Sequence, residues 1–328
     1  MQRRSLDVLI VGAGFSGLYL LHLLRKRGLA VKIVDRAPAI GGTWWWNRYP
    51  GLRCDVESMT YSYSWDAELE QEWSWSERYS THAEILRYIE HVADRHDLHR
   101  DIELSTEVTA ARWDEQAARW QVETSAGGFD VRFLVMATGC LTVPNVVQFD
   151  GLDDFAGDWY HTTAWPHEGV DFTGKRVAVV GTGSTAIQVI PIVAQQAEHL
   201  TVFQRTPNFS IPAWNGPITP EQEAARKAIY PETRALARVG ATGDIWPLAP
   251  GNAADLTPEE QQDELERRWH QGSFSFLSAF ADMTSDPESN RIATEFVHRK
   301  IKEKVDDPEV AELLCPKDHP LGTKRLCV

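Results

Sequence analysis

Two short glycine runs carry the residue types that handle phosphates. Gly12-Ala13-Gly14-Phe15-Ser16-Gly17 and Gly181-Thr182-Gly183-Ser184-Thr185-Ala186 both set small residues where a strand must turn sharply, a pyrophosphate must approach backbone N–H groups and the next helix must pack closely on a sheet. Asp35 follows the first run, 23 residues after Gly12, where a carboxylate can accept hydrogen bonds from ribose hydroxyls. Arg205 takes the corresponding place after the second run, 24 residues after Gly181. A cation there suits a 2′-phosphate and favours NADPH over NADH. An acid at one ribose and a base at the other, in one chain, imply an internal hydride relay in which NADPH reduces a bound flavin, FAD.

Two βαβ units must position these runs. Strands are predicted at residues 7–11 and 31–35 around a helix at 15–27, and at 176–180 and 200–203 around a helix at 184–196. Between the units lie a Trp-rich segment at 44–75, a helix near 83–96, strands at 107–113 and 120–124, and an apolar strand at 133–137 that breaks at Gly139. After Pro207 the chain becomes turn-rich, with Pro212, Pro217 and Pro220, and then polar and helical. This stretch reads as a helical insertion at about 218–310, either a solvated surface excursion or a wall of a substrate entrance. The expected fold is α/β, with two Rossmann-like dinucleotide-binding domains: FAD at 1–150, a linker at 151–170, and NADP at 171–328 with the insertion.

At 328 residues the chain is long enough for two cores, and 43% hydrophobic with 24% charged residues is an ordinary soluble composition. The formal charge of −14 repels phosphate backbones and anionic membrane surfaces, so neither nucleic acid nor membrane is an expected partner. Cys54, Cys140, Cys315 and Cys327 form no C-x-x-C pair, which argues against a zinc site and dithiol chemistry and fits a reducing, cytoplasmic setting. The basic start followed by an apolar run to Leu24 imitates a signal peptide, but Asp7 and the glycine run interrupt it; no export or anchoring is expected. His167-Glu168 is not a zinc motif, since Asp171 stands where the second histidine would be.

Between the two nucleotide units, Phe155-Ala156-Gly157-Asp158-Trp159-Tyr160-His161-Thr162-Thr163-Ala164-Trp165-Pro166 matches the pattern F-x-G-x-x-x-H-x-x-x-W-P. With this string the chain resembles the class B flavoprotein monooxygenases, and within them the type I Baeyer–Villiger monooxygenases, which insert oxygen beside a ketone carbonyl. A second matching stretch runs from Gly41-Gly42-Thr43-Trp44-Trp45-Trp46 through Arg53-Cys54-Asp55, and a third is Gly322-Thr323-Lys324-Arg325. Without the resemblance, the tryptophans would be core filling, His161 a histidine satisfied by backbone, and Lys324-Arg325 a solvated pair.

The resemblance implies that Thr43, Trp44, Trp45 and Trp46 line FAD with Tyr61 nearby, that Val108 meets the adenine end, and that Arg53, Cys54 and Asp55 face the nicotinamide. It implies that Arg205, Thr206 and Lys324 hold the 2′-phosphate. Arg325 becomes the arginine at the oxygen-carrying face of the flavin, oriented by Asp55, and Phe155, Gly157, His161, Trp165 and Pro166 couple the domains without touching substrate. The implied substrates are a small ketone and O₂. Because family members continue well beyond the Gly-Thr-Lys-Arg segment, the resemblance also leads us to expect that the closing part of the FAD fold lies in a further segment or a complementary chain. The competing readings are an N- or S-oxygenating flavin monooxygenase, which usually lacks the Trp-Pro end, and a non-catalytic nucleotide-binding fragment or subunit.

Overall fold

The computed structural model describes residues 3–145, 148–240, 243 and 249–323. Contacts divide the chain into two units, Met1–Tyr49 with His82–Val170, and Pro50–Thr81 with Asp171–Val328. The tryptophan-rich stretch is therefore split, and most of it packs with the later half of the chain.

The first unit is built on a six-stranded sheet in the order β3-β2-β1-β6-β5-β4. Its strands are β1 (Arg4–Val11), β2 (Val31–Val34), β3 (Ile102–Glu103), β4 (Val108–Asp114), β5 (Arg119–Thr124) and β6 (Gly127–Met136). β1 pairs in parallel with β2 and β6, and β2 with β3, whereas β4, β5 and β6 meet antiparallel. Three consecutive residues of β1, Val8, Leu9 and Ile10, are buried, the mark of a parallel strand covered on both faces. The helix α1 (Phe15–Lys26) buries Leu18 and Leu21, and α4 (His82–Arg95) buries Ile85, Tyr88, Ile89 and Val92 at helical spacing; α2 (Thr43–Trp46) is a single turn. β6 begins six residues before the predicted start at 133, because Phe129 and Val131 alternate inward beside β5 and are fully buried.

In the second unit, β7 (Arg176–Val180) and β8 (His199–Phe203) pair in parallel across α5 (Ser184–Gln196), and α3 (Ala67–Glu72) comes from the earlier segment. Helices α6 (Pro220–Ala228), α7 (Tyr230–Val239), α8 (Pro258–Gln271), α9 (Pro287–Lys304) and α10 (Pro308–Leu314) follow. They are more than a solvated excursion. Phe209, Leu265, Trp269, Phe276, Phe280, Phe296, Val297 and Leu321 form a closed apolar core among them. Against that core lies a fully buried guanidinium, Arg268, whose Nε donates to Glu264 Oε1 at 2.7 Å. No helix among the described residues is long and apolar enough to cross a membrane.

Candidate functional site

Both glycine runs sit at the carboxyl end of a parallel strand. Gly12 and Gly181 adopt nearly the same backbone, φ +114° and +110°, a region open to glycine and strained for other residues. Each closes its turn onto the neighbouring strand: Gly12 N–H donates to Val34 O at 2.9 Å, and Gly181 N–H to Phe203 O at 2.9 Å. At the third fingerprint position the runs differ. A Cβ at Gly17 would fall on the Gly12 carbonyl, whereas Ala186 already carries one.

What the helix starts lack is as informative. α1 begins at Gly14 and α5 at Gly183; neither has a side-chain cap, and neither first turn holds an acid. α3, α6, α8, α9 and α10 start at Asp66, Thr219, Thr257, Asp286 and Asp307, whose oxygens accept from first-turn N–H groups, and every one of these helices has an acid in its first turn. Neither helix thus carries an acid in its own first turn to offset its positive end. Gly183 has an ordinary φ of −80°, and a Cβ there would meet nothing within 4 Å. Neither conformation nor internal packing explains that glycine; the space in front of it suits an incoming phosphate.

Asp35 is buried and already employed. Its Oδ2 accepts from Ala13 N–H at 2.7 Å and its Oδ1 from Ala37 N–H at 2.8 Å, so it fastens the first glycine loop to the end of β2. A carboxylate has about four acceptor sites, which leaves capacity for ribose hydroxyls. Arg205 is exposed and makes no hydrogen bond or ion pair among the described residues. The segment just after it is tied to the second glycine loop: Thr182 Oγ1–H donates to Thr206 O at 3.3 Å and Asn208 Nδ2–H to Thr182 O at 2.9 Å.

In the first unit the aromatic segment is held by cations. Trp44 is buried, the Arg36 guanidinium lies 4.9 Å from the Trp46 ring, and Arg48 lies 4.9 Å from the Trp45 ring while donating to Trp45 O. Burial lowers the Arg48 pKa. Asn47 Nδ2–H groups donate to Thr43 O at 3.0 Å and Leu141 O at 2.9 Å, and Gly42 packs on Gly14 at the mouth of the loop. Val108 opens β4 opposite Thr124.

The signature segment folds onto itself. His161 Nδ1 lies 2.7 Å from Thr163 Oγ1 and accepts from Thr163 N–H at 3.4 Å, which puts the proton of the neutral ring on Nε2. Trp165 is buried against Tyr160, with ring centroids 5.6 Å apart, and a Cβ at Gly157 would meet the Phe155 ring at 2.9 Å. Just past Pro166, His167 lies 5.3 Å from Trp45, a contact between two sequence motifs that spacing alone did not indicate.

In the second unit, Arg53 is tied into its own segment. Its Nη1 donates to Glu77 Oε2 at 2.7 Å and Tyr79 O at 2.8 Å. Burial pushes the Glu77 pKa up, but the Arg53 and Asn215 hydrogen bonds outweigh it and hold the group below its ordinary value. Gln188 on α5 pairs with the Arg53 backbone like a neighbouring strand, Nε2–H to O at 3.1 Å and Oε1 from N–H at 3.5 Å. Cys54 N–H donates to Ser80 O at 3.0 Å, leaving Cys54 buried beside the half-buried Asp55. Tyr61 N–H donates to Glu57 O at 2.9 Å. Lys324 and Arg325 lie outside the described residues. Among the described residues no group of His, Cys, Asp and Glu is arranged to hold a metal ion, and no disulfide joins the described cysteines.

Comparison with known proteins places this geometry. The family model described as pyridine nucleotide-disulphide oxidoreductase matches residues 9–221. The chain is 41% identical over 334 aligned positions to an acetone monooxygenase (methyl acetate-forming) of Gordonia sp. strain TY-5, covering 99% of this chain and 61% of that protein. It is 43% identical to a Baeyer–Villiger monooxygenase of Pseudooceanicola batsensis, covering 95% and 58%. Among solved structures, an oxidized steroid monooxygenase bound to NADP superposes with a TM-score of 0.95 at 53% identity, covering 98% of this chain and 62% of that one. The chain thus spans about three fifths of the length of these relatives. With two glycine loops on parallel strands and a family match through both, the chain belongs to the pyridine nucleotide-disulphide oxidoreductase family and, within it, groups with the Baeyer–Villiger flavin monooxygenases.

Proposed function

We propose that this chain is the FAD- and NADPH-binding part of a flavin monooxygenase that inserts one oxygen atom beside a ketone carbonyl and releases an ester or lactone. The observation that carries the reading is the pair of uncapped helix starts behind glycine loops of matching conformation, one followed by Asp35 and the other by Arg205, which is exposed and without a partner among the described residues. The names of the relatives support the ketone chemistry.

Gly12, Gly14, Gly17 and Asp35 would hold the FAD pyrophosphate and ribose, with Thr43, Trp44, Trp45, Trp46, Tyr61 and Val108 along the cofactor. Gly181, Thr182, Gly183, Ser184, Thr185 and Ala186 would cradle the NADPH pyrophosphate, with Arg205, Thr206 and Lys324 at the 2′-phosphate. The domains are then FAD at 1–150, linker at 151–170 and NADP at 171–328. FAD, when bound, supplies the carrier that accepts hydride and presents oxygen. Arg325 would stabilise negative charge developing on the ketone oxygen, Asp55 and Arg53 would orient the groups around it, and the signature residues Phe155, Gly157, His161, Trp165 and Pro166 would couple the two cofactor sites. The setting is cytoplasmic, in keeping with the absence of a disulfide among the described cysteines.

The test loads the purified chain with FAD, removes free cofactor, and measures bound flavin absorbance, NADPH affinity and oxidation, and ketone products by mass spectrometry. Arg205→Ala removes about 1.5–3 kcal/mol of charge-assisted contact, so NADPH binding should weaken by roughly tenfold to a hundredfold while NADH binding is unchanged. A chain that retains no flavin, or that binds both nucleotides equally, overturns the assignment.

A further inference from the structure

The turn at residues 57–62 is gripped by one side chain from a distant helix. Arg234, on α7, donates from Nη1 to Thr60 O at 2.9 Å, from Nη2 to Met59 O at 3.2 Å and to Ser62 Oγ at 2.6 Å, and from Nε to Glu70 Oε1 at 2.8 Å. The pair is largely buried, with side chains 12% and 9% exposed. Within the turn, Thr60 N–H and Tyr61 N–H both donate to Glu57 O at 2.9 Å. The carbonyls of Met59 and Thr60 also accept within the turn, from Ser62 Oγ–H at 3.3 Å and Ser62 N–H at 2.9 Å, and Arg234 adds a charged donor to each. Tyr230, one turn earlier on α7, lies beneath, with its ring 5.2 Å from the guanidinium and its hydroxyl pushed by burial to a pKa of about 12.

Two further ties reach the same segment from α6, the helix before α7. Arg226 pairs with Glu57, and Lys227 Nζ donates to Gln71 O at 2.7 Å. Buried ion pairs contribute little net stability because desolvation offsets their attraction, but they fix geometry. Of these cations, Arg234 alone holds atoms on both sides of Tyr61. Resting on the reading of Tyr61 as a flavin-side residue, we propose that Arg234 is a positioning residue: it sets the Met59–Ser62 backbone, and so the Tyr61 ring, before FAD arrives. The helix α7 then serves the Tyr61 turn through this side chain.

The experiment compares the wild-type chain with Arg234→Met, Arg234→Lys and Tyr61→Leu, with Lys227→Met as a control that cuts the tie of α6 to α3, away from Tyr61. Hydrogen exchange at residues 59–62 is measured without cofactor, and FAD is titrated while bound-flavin fluorescence is followed, since a tyrosine against the flavin quenches it. Tyr61→Leu should brighten the bound flavin. Arg234→Met should speed exchange at 59–62, brighten the flavin in the same way and weaken FAD by about tenfold, the cost of ordering one residue on binding. Arg234→Lys should fall between, and Lys227→Met should match wild type. A wild-type chain that takes up no FAD, or a Tyr61→Leu flavin no brighter than wild type, sinks the reading of Tyr61 and the inference with it. A bright Tyr61→Leu beside an Arg234→Met indistinguishable from wild type overturns the role of Arg234 alone. Should Arg234→Met fail to fold, Arg234→Lys and Ser62→Ala carry the comparison, and wild-type behaviour in both overturns it.

Discussion

Gly17 is the position where the structure makes the sharpest numerical demand. A Cβ there would lie inside the 3.0 Å that real Cβ atoms keep from the Gly12 carbonyl oxygen, and 3.1 Å from its carbon. The obstacle is backbone, held between β1 and β2 by the bond from Gly12 N–H to Val34 O, so it cannot swing aside as a side chain would. In Gly17→Ala the helix α1 must therefore retreat from the loop by about an ångström or more before the methyl reaches the 3.4 Å where ordinary contact begins. Overpacking of this kind costs about 1–3 kcal/mol, and a rigid obstacle places it near 3; removing a glycine from a helix returns about 1. The net loss of about 2 kcal/mol lowers Tm by roughly 3 °C, at about 2.1 cal/mol/K of unfolding entropy per residue over 328 residues. Ala186→Gly in the second loop, where a methyl is already accommodated, should cost no more than about 1 kcal/mol. Thermal and urea denaturation of the two variants without nucleotide decide the matter. If Gly17→Ala lies within about 0.5 kcal/mol of wild type, close packing of α1 on the loop is not why residue 17 is glycine.

Two other perturbations bear on buried charge. Asp35→Asn keeps the shape but turns one acceptor oxygen into an N–H₂ facing a backbone N–H; it should cost about 1–3 kcal/mol by urea unfolding and weaken FAD in the same titration. Glu264→Ala strips the fully buried Arg268 of its carboxylate and should cost about 3–5 kcal/mol. Burial raises the Glu264 pKa, but hydrogen bonds from Arg267 and Arg268 more than reverse this and leave it below 4.5. Its contribution is then present above pH 4.5 and lost as pH falls through the lowered value, so the variant's acid unfolding curve should be flatter there than that of wild type.

Much of the fold was legible because its cues are local. β7 and α5 fall at the predicted residues, since an apolar run broken by Gly-Thr-Gly and then resuming at helical spacing has few alternatives. The early start of β6 escaped notice, as Gly127-Gly128 looks like a turn until Phe129 and Val131 are seen against β5. The split of the tryptophan-rich stretch could not be read at all. It depends on Gln188 pairing with Arg53 and on Arg78 donating to Gln271 O at 3.0 Å, contacts 135 and 193 residues apart. In α8 the charged string hid a core helix: one glutamate and one arginine of that string are the buried pair, and Leu265 and Trp269 beside them face the apolar cluster. The two glycine turns at strand ends were legible from their spacing. The grip of Arg234 was invisible, because nothing in residues 57–62 announces that its carbonyls await a cation from a distant helix.

The uncapped starts of α1 and α5 also make heat resistance a property of the mixture rather than of the polypeptide. A helix start without an acceptor costs about 1 kcal/mol relative to a capped one, and an anion seated there removes that cost. Ligand at a hundred times its Kd adds about 2.7 kcal/mol per site. Sulfate or phosphate buffers would draw on the same N–H groups at lower affinity. Melting temperatures for variants of this chain are therefore comparable only at matched nucleotide occupancy and matched buffer anion. A substitution that merely weakens cofactor binding will look like a folding defect whenever the cofactor is held below saturation.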